Sequence, residues 1–308
     1  MVGSRFLGMI VVGAILVSAM AAGAGQEFDA KQFGAVGDAR NDDTTAIQKA
    51  LDKAASAGGG TVFLAPGTYR LTGSLTVPGT VTLQGSWQAP HHSDEGFGSA
   101  LFVEGGRGAD ETATATIEMQ PSSCVRGLTF FHPAQDCAAV QSYPYVIRGR
   151  GMHCSVVDVT LVNAYRGIDF GTHWNELHYV RNVFGCVLKQ GVYVNNCSDI
   201  GRIENVHFNP HYWFRCKLPE SCPKADPQKI IDYMNANLDA FVFGRTDWEY
   251  VFNTFCFAFK TCYKFIQTPQ GACNGNFLGI GADAGQFCVW VEAVQPMGVQ
   301  ITNGEFVA

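Results

Sequence analysis

Charge is scarce in this chain: of 308 residues only 21 are Lys or Arg and 27 are Asp or Glu, for a formal net charge of −6. No basic stripe exists, which excludes a groove built for nucleic acid but not local capture of an anionic sugar by a few Arg and Lys. Beyond the segment Phe6 to Val17, no stretch is apolar enough to span a bilayer. None of the eleven cysteines has the spacing of a zinc site. The two histidines of His207-Phe208-Asn209-Pro210-His211 lack a nearby cysteine or a helical frame, so a metal reading fails there too. Gly279-Ile280-Gly281-Ala282-Asp283-Ala284-Gly285 imitates a dinucleotide loop but lacks the helix that must follow it, and a tight turn explains it better.

What is present at the start is a leader pattern. Arg5 precedes the apolar run, and Ala22-Gly23-Ala24 offers the small-x-small word that a signal peptidase accepts, so residues 1–25 read as a signal peptide and 26–308 as the mature chain. Secretion, or a periplasmic or cell-surface location, is the expectation. An oxidising compartment permits disulfides, an odd count leaves at least one thiol unpaired, and Cys216 with Cys222, bracketing a polar loop, form the best pair. Cys186, Cys197, Cys256, Cys262 and Cys288 fall in or beside strand-like segments, where a small buried thiol is the plainer reading.

Three words follow in quick succession: Phe33-Gly34-Ala35-Val36-Gly37-Asp38, then Asn41-Asp42-Asp43-Thr44-Thr45-Ala46-Ile47-Gln48, then Gly58-Gly59-Gly60-Thr61-Val62-Phe63-Leu64-Ala65-Pro66-Gly67-Thr68-Tyr69. Ile47, Leu51, Ala54 and Ala55 fall on one face of a short helix, with Asp42, Asp43 and Thr44 placed to cap it. Three glycines end that helix, and the period then switches to short strands at Thr61 to Leu64, Tyr69 to Leu71, Leu75 to Val77 and Val81 to Leu83. These words resemble the opening of the pectate-lyase superfamily, pectin lyase-like and rhamnogalacturonase/epimerase-like proteins. The resemblance is specific over about residues 28 to 85. It implies an all-β, right-handed parallel β-helix, with a helical cap at about 28–60 plugging the first coil, and a polysaccharide as partner.

The repeat supports that fold independently. Asp158, Asn182, Asn205, Asn253 and Asn276 each precede an alternating strand, at steps of 24, 23, 48 and 23 residues. Asn recurs at such a turn because its amide bonds the neighbouring coil and it tolerates left-handed geometry. The double step holds one insertion, about 209–238, with a helical stretch near Gln228 to Asn235. A second repeated element puts Ile168, Phe170, Val192, Val194, Phe241, Phe243, Tyr263 and Phe265 inward, and Asp169, Tyr193, Val242 and Lys264 outward as one column. Polar loops leave this sheet on one flank and the insertion walls the other, which makes a groove.

In the resembled enzymes the glycan lies along this sheet. Hydrolysis needs two carboxyl groups, and Asp169, Glu176, Asp199 and Asp247 are the candidates, with Asp169 and Asp199 as the first pair. β-Elimination from a uronic acid needs a base and a cation. His173 or His178 offers the base; Lys264, Arg245 and Arg202 offer the charge, and Ca²⁺ enters as a cofactor only if the reaction is of this type. Tyr193, Trp174 and Trp248 offer flat faces for sugar rings.

The family's catalytic words are missing: neither the Asn-Thr-Asp, Asp-Asp, Gly-His-Gly and Arg-x-Lys set of polygalacturonase-like hydrolases nor the Asp-His and Arg-x-Pro-x-x-Arg words of calcium-dependent pectate lyases is found in arrangement. The resemblance therefore implies fold and broad substrate class, an exported protein cleaving uronic-acid-containing glycans by hydrolysis or elimination, or a non-catalytic glycan-binding or tailspike-like adhesin. The segment Val299 to Ala308 resembles the start of another coil, which leads us to expect that the natural chain continues or that another chain covers this end.

Overall fold

The computed structural model describes residues 26–90, 98–217 and 219–307; the expected leader at 1–25 lies outside them. After a first strand, Glu27–Asp29, comes α1, Thr44–Ser56, whose Ile47, Ala50, Leu51 and Ala54 are completely buried against the strands Gly60–Leu64 and Leu75–Val77. Its start differs from the expected cap. Asp42 Oδ1 accepts the Thr44 amide at 3.1 Å, whereas Asp43 points back and accepts the amides of Val36 (2.6 Å) and Gly37 (3.1 Å), tying the preceding turn to the helix.

From there the chain winds as a solenoid in which the strand-to-strand pairings are all parallel. Most strands are short, but Ser155–Phe170 and Tyr179–Val194 each run as one 16-residue strand from one face of the coil to the next. The sheet that positions the site is built from Leu75–Val77, Ile117–Met119, Tyr145–Gly149, residues 164–170 and 187–194, Asp239–Phe243, Thr261–Phe265 and Phe287–Val291. Inside, apolar side chains stack coil upon coil: Phe208 on Phe241, then Tyr263, and Phe243 on Phe265, with ring centroids 5.1–5.5 Å apart. Cys186, Cys197, Cys256 and Cys262 join that core, and burial holds the thiols of Cys186 and Cys262 far above their ordinary pKa, so they stay protonated and inert.

The turn ladder runs through Asp158, Asn182, Asn205 and Asn253, all left-handed at φ of 49° to 58°. Asn182 donates to Asp158 Oδ1 and Asn205 to Asn182 Oδ1, each at 2.8 Å. Asn276 is not on it. That residue pairs with Tyr250 and Gln300 inside a strand, and Gly279 (φ 64°) takes the turn position, where a Cβ would come 2.8 Å from Asn253 Oδ1. Asn303 then continues the ladder at φ 53°.

The insertion contains α2, His211–Phe214, and α3, Pro227–Asn237; Asp226 caps α3 by accepting the amides of Gln228 and Lys229, and Ile230 and Met234 bury its inner face. Cys216 and Cys222 are not joined in a disulfide. Cys216 is drawn into the core just after α2, while Cys222 belongs to a separate turn closed on Pro219.

Candidate functional site

The expected column exists as a register: Glu118, Arg148, Asp169, Tyr193, Val242, Lys264 and Trp290 stand opposite one another on successive coils. Its chemistry differs from the expectation. Asp169 has no exposed surface; its Oδ2 takes the Arg148 Nε at 2.7 Å and its Oδ1 takes the amides of Gly171 and Thr172. Arg148 also reaches Glu118 Oε1 at 3.3 Å. Asp169 is thus a spent carboxylate that orders the following turn, and Val242 is buried as well.

The open part of the groove lies three residues earlier on the same strands. A cavity of about 330 Å³ is lined by Glu111, Tyr145, Arg166, Thr172, Lys189, Gln190, Tyr193, Asp239 and Ile266. Tyr145, Arg166, Gln190, Asp239 and Thr261 form the column. Arg166 lines the cavity although it has the same parity as inward Ile168 and Phe170; its register partners Tyr145, Asp239 and Thr261 are the first residues of their strands, where the chain enters this sheet. Two cations, Arg166 and Lys189, line it, and a third, Lys264, is paired with its wall residue Asp239. Arg166 is held by Glu111 Oε2 at 2.7 Å and by the Tyr143 carbonyl, and Lys264 by Asp239 Oδ2 at 2.7 Å; Lys189 completes the set within the cavity wall and just beyond it. Tyr145 donates to Gln190 Oε1. Burial, then the Asp169 charge, raises the Tyr193 pKa, so its hydroxyl keeps its proton.

Arg148 and Glu118 continue the charged wall beyond Asp169, with Arg150 reaching Glu118 Oε2 at 3.4 Å and His173 Nε2 at 3.2 Å. Burial and then the Arg150 charge lower the His173 pKa, leaving a neutral imidazole near pH 7. Among the described carboxylates facing this region, Glu111, Glu118, Asp169 and Asp239 are each ion-paired to an Arg or Lys, and Asp239 Oδ1 is buried with no hydrogen-bond partner.

The other anticipated residues lie outside this sheet, Glu176, Arg202, Asp247 and Trp248 in strands of other faces and Trp174 and Asp199 in turns, and none lines the cavity. Glu176 accepts from Ser198 Oγ at 2.9 Å, Asp247 binds Arg245 at 2.6 Å and Gln295, and the Arg245 Nη1 donates to the Cys197 carbonyl. Asp199 lies in the turn whose carbonyl receives the Leu177 amide, so Asp169 and Asp199 do not form a pair across the sheet. Trp174 and Trp248 are exposed, and Arg202 belongs to a different sheet, opposite Tyr179 and Tyr250. His178 cannot serve as base because it has no exposed surface.

His178 belongs to a polar cluster inside the solenoid. Its Nε2 faces Glu249 Oε1 at 3.1 Å, its Nδ1 faces Asn175 Oδ1 at 2.9 Å, and Cys197 lies close enough that the ligand atoms of the three residues all fall within 4.8 Å. The Asn175 amide donates to the carbonyls of Phe170, His173 and Asn195, which fixes its oxygen toward the ring. Both ring nitrogens therefore face acceptors and both carry protons, which makes an imidazolium rather than a metal ligand. Sequence reading missed Arg148, Arg166, Lys189, Gln190 and Asp239; the signal available was a run of polar side chains at one repeat position, Arg166, Gln190 and Asp239, where the core pattern asks for apolar ones.

Residues 28–108 match the family described as rhamnogalacturonase A/epimerase, pectate lyase-like. The mannuronan C5-epimerase AlgE3 of Azotobacter vinelandii is 46% identical over 67 residues, 20% of this chain and 4% of the relative. Alginate lyase 7 of the same organism is 57% identical over 47 residues, 15% of this chain and 6% of the relative. The chain thus spans less than a tenth of either relative. Among solved structures, the phiAB6 tailspike, in complex with oligosaccharides of Acinetobacter baumannii surface polysaccharide, superposes with a TM-score of 0.53 at 16% identity, covering 91% of this chain and 47% of that one. The tailspike of E. coli bacteriophage HK620, in complex with a pentasaccharide, gives 0.52 at 10% identity, covering 91% and 50%.

Proposed function

We propose that this parallel β-helix protein, whose residues 28–108 match a pectate-lyase-like family, is exported and acts on an acidic, uronate-containing polysaccharide bound along the sheet that carries Arg166, Tyr193 and Lys264. The single observation carrying this reading is the cavity in which Arg166, Lys189, Gln190 and two tyrosines converge. Cations there match sugar carboxylates, and hydroxyl and amide groups match sugar hydroxyls. The names of the sequence relatives, mannuronan epimerases and an alginate lyase, support a polyuronate as ligand.

The geometry favours elimination over hydrolysis. Hydrolysis requires two available carboxyl groups, and the two that line the cavity, Glu111 and Asp239, are each ion-paired. Elimination requires instead that cations neutralise the sugar carboxylate while a base removes the proton on the adjacent carbon. Arg166 and Lys189 supply the charge, and His173, which stands outside the cavity wall, serves as the base once Arg150 releases its Nε2. The electron pair of the broken C–H bond forms the double bond, the glycosidic C–O bond breaks, and Tyr193 returns a proton to the leaving oxygen. A binding-only role is the second reading, favoured by the fact that all four carboxylates named above are engaged.

Incubation with polygalacturonate, alginate and rhamnogalacturonan decides between them. Rising absorbance from an unsaturated product supports elimination. New reducing ends without that absorbance would replace it by hydrolysis, and binding without either product would leave the adhesin role.

A further inference from the structure

Arg166, the cation best placed for a sugar carboxylate, is already occupied by a carboxylate from its own chain. Glu111 Oε2 lies 2.7 Å from its Nη2, and while the Arg166 side chain is only 10% exposed, that of Glu111 is 59% exposed. The backbone around Glu111 is anchored. Arg148 donates to the carbonyls of Glu111 and Ala113, Glu118 Oε1 accepts the Ala115 amide at 2.9 Å, and the Gly108 amide donates to the Ser142 carbonyl at 2.8 Å. Only the Glu111 side chain is left to move.

Resting on the functional reading above, we propose that Glu111 is a built-in competitor: its carboxylate occupies the place of the substrate carboxylate on Arg166 and swings out, on a fixed backbone, when an anionic sugar enters. The apparent affinity is then the intrinsic one reduced by the fraction of molecules in which Arg166 is released. Neutral sugars, which gain nothing from Arg166, leave the gate closed, so Glu111 works as a charge filter as well as a brake.

The test is calorimetric titration of trigalacturonate, trimannuronate and the methyl ester of trigalacturonate into the wild-type protein, Glu111→Gln and Arg166→Gln. We expect Glu111→Gln to bind one of the acidic trisaccharides about 3- to 10-fold more tightly than wild type, with no gain for the methyl ester, and Arg166→Gln to lose the acidic ligand. Acidic binding that is unchanged or weakened in Glu111→Gln would overturn the gate and assign Glu111 to positioning Arg166. An equal gain for acidic and esterified ligands would overturn it in favour of a rearranged wall. Absence of acidic binding in all three proteins would instead remove the functional reading and the gate with it.

Discussion

Two sets of charged side chains are stacked on the coils of this solenoid, and they obey opposite rules. On the outside, Glu111, Arg166, Asp239, Lys264 and Lys189 surround a cavity, and their ion pairs remain open to exchange with a ligand. On the inside, His178 and Glu249 belong to coils two apart and meet with no exposed surface. They meet because Gly201 sits between them: a Cβ there would lie 2.1 Å from His178 Cε1 and 2.3 Å from Glu249 Oε2. The repeat geometry is the same; access to water separates a site for binding from a lock that holds coils in register.

The comparison breaks most visibly at the inner lock. Glu249→Ala leaves a buried imidazolium without its counter-charge, and we expect a loss of about 3–5 kcal/mol in urea unfolding; Gly201→Ala should cost about 3 kcal/mol by forcing the pair apart. A loss below about 1 kcal/mol in both would show that the pair is incidental.

Next comes the wall between the two regions. Asp169→Asn removes a charged acceptor from Arg148 and from two amides, and about 2–3 kcal/mol of stability should go with it. Polyuronate binding should fall only indirectly, through the turn at Gly171. Abolished turnover in a variant of unchanged stability would restore Asp169 as a catalytic group.

The lock also has a pH signature. Burial alone would push the His178 imidazolium down, but the Glu249 charge and the hydrogen bonds with Cys197 and Glu249 outweigh it and lift the group to about 10. A raised folded pKa means that the contribution is complete below the unfolded value of about 6.5 and is lost as pH rises through about 10. Unfolding free energy measured from pH 7 to 10.5 should therefore fall, and His178→Gln should flatten that part of the profile. An equal slope in the variant would assign the effect to other groups.

The outer set should respond far less in stability. Lys264→Ala removes a partly exposed pair at the groove surface and should cost about 1 kcal/mol. Smallest of all, Trp174→Ala should change stability by less than about 0.5 kcal/mol and leave polyuronate affinity at the wild-type value, since its exposed ring lies outside the cavity. A large loss of binding there would move the glycan onto the turns.

The parts legible in the sequence are those set by local, repeated physics. The glycine break after α1, the Asn turn positions from Asp158 to Asn253, the single insertion and the inward aromatic stack all follow from period and turn chemistry. Asn276 misled because Asn is common in strands and turns alike, whereas Gly279 reaches the left-handed turn at lower cost. The site was harder to read because its central cation stands where the alternation starts: counting back by twos from Phe170 sends Arg166 into the core, yet it lines the cavity in register with Tyr145, Asp239 and Thr261, the first residues of their strands. Asp169 misled for the converse reason. Its outward position was readable, but its partner Arg148 lies on the preceding coil, before the visible repeat begins.

The most direct measurement is a crystal structure with a saturated uronate trisaccharide. We expect a sugar carboxylate within hydrogen-bonding distance of the Arg166 guanidinium, Lys189 beside it, and the Glu111 side chain displaced. A trisaccharide seated on Trp174 and Trp248, with the Glu111–Arg166 pair intact, would contradict the assignment of the groove.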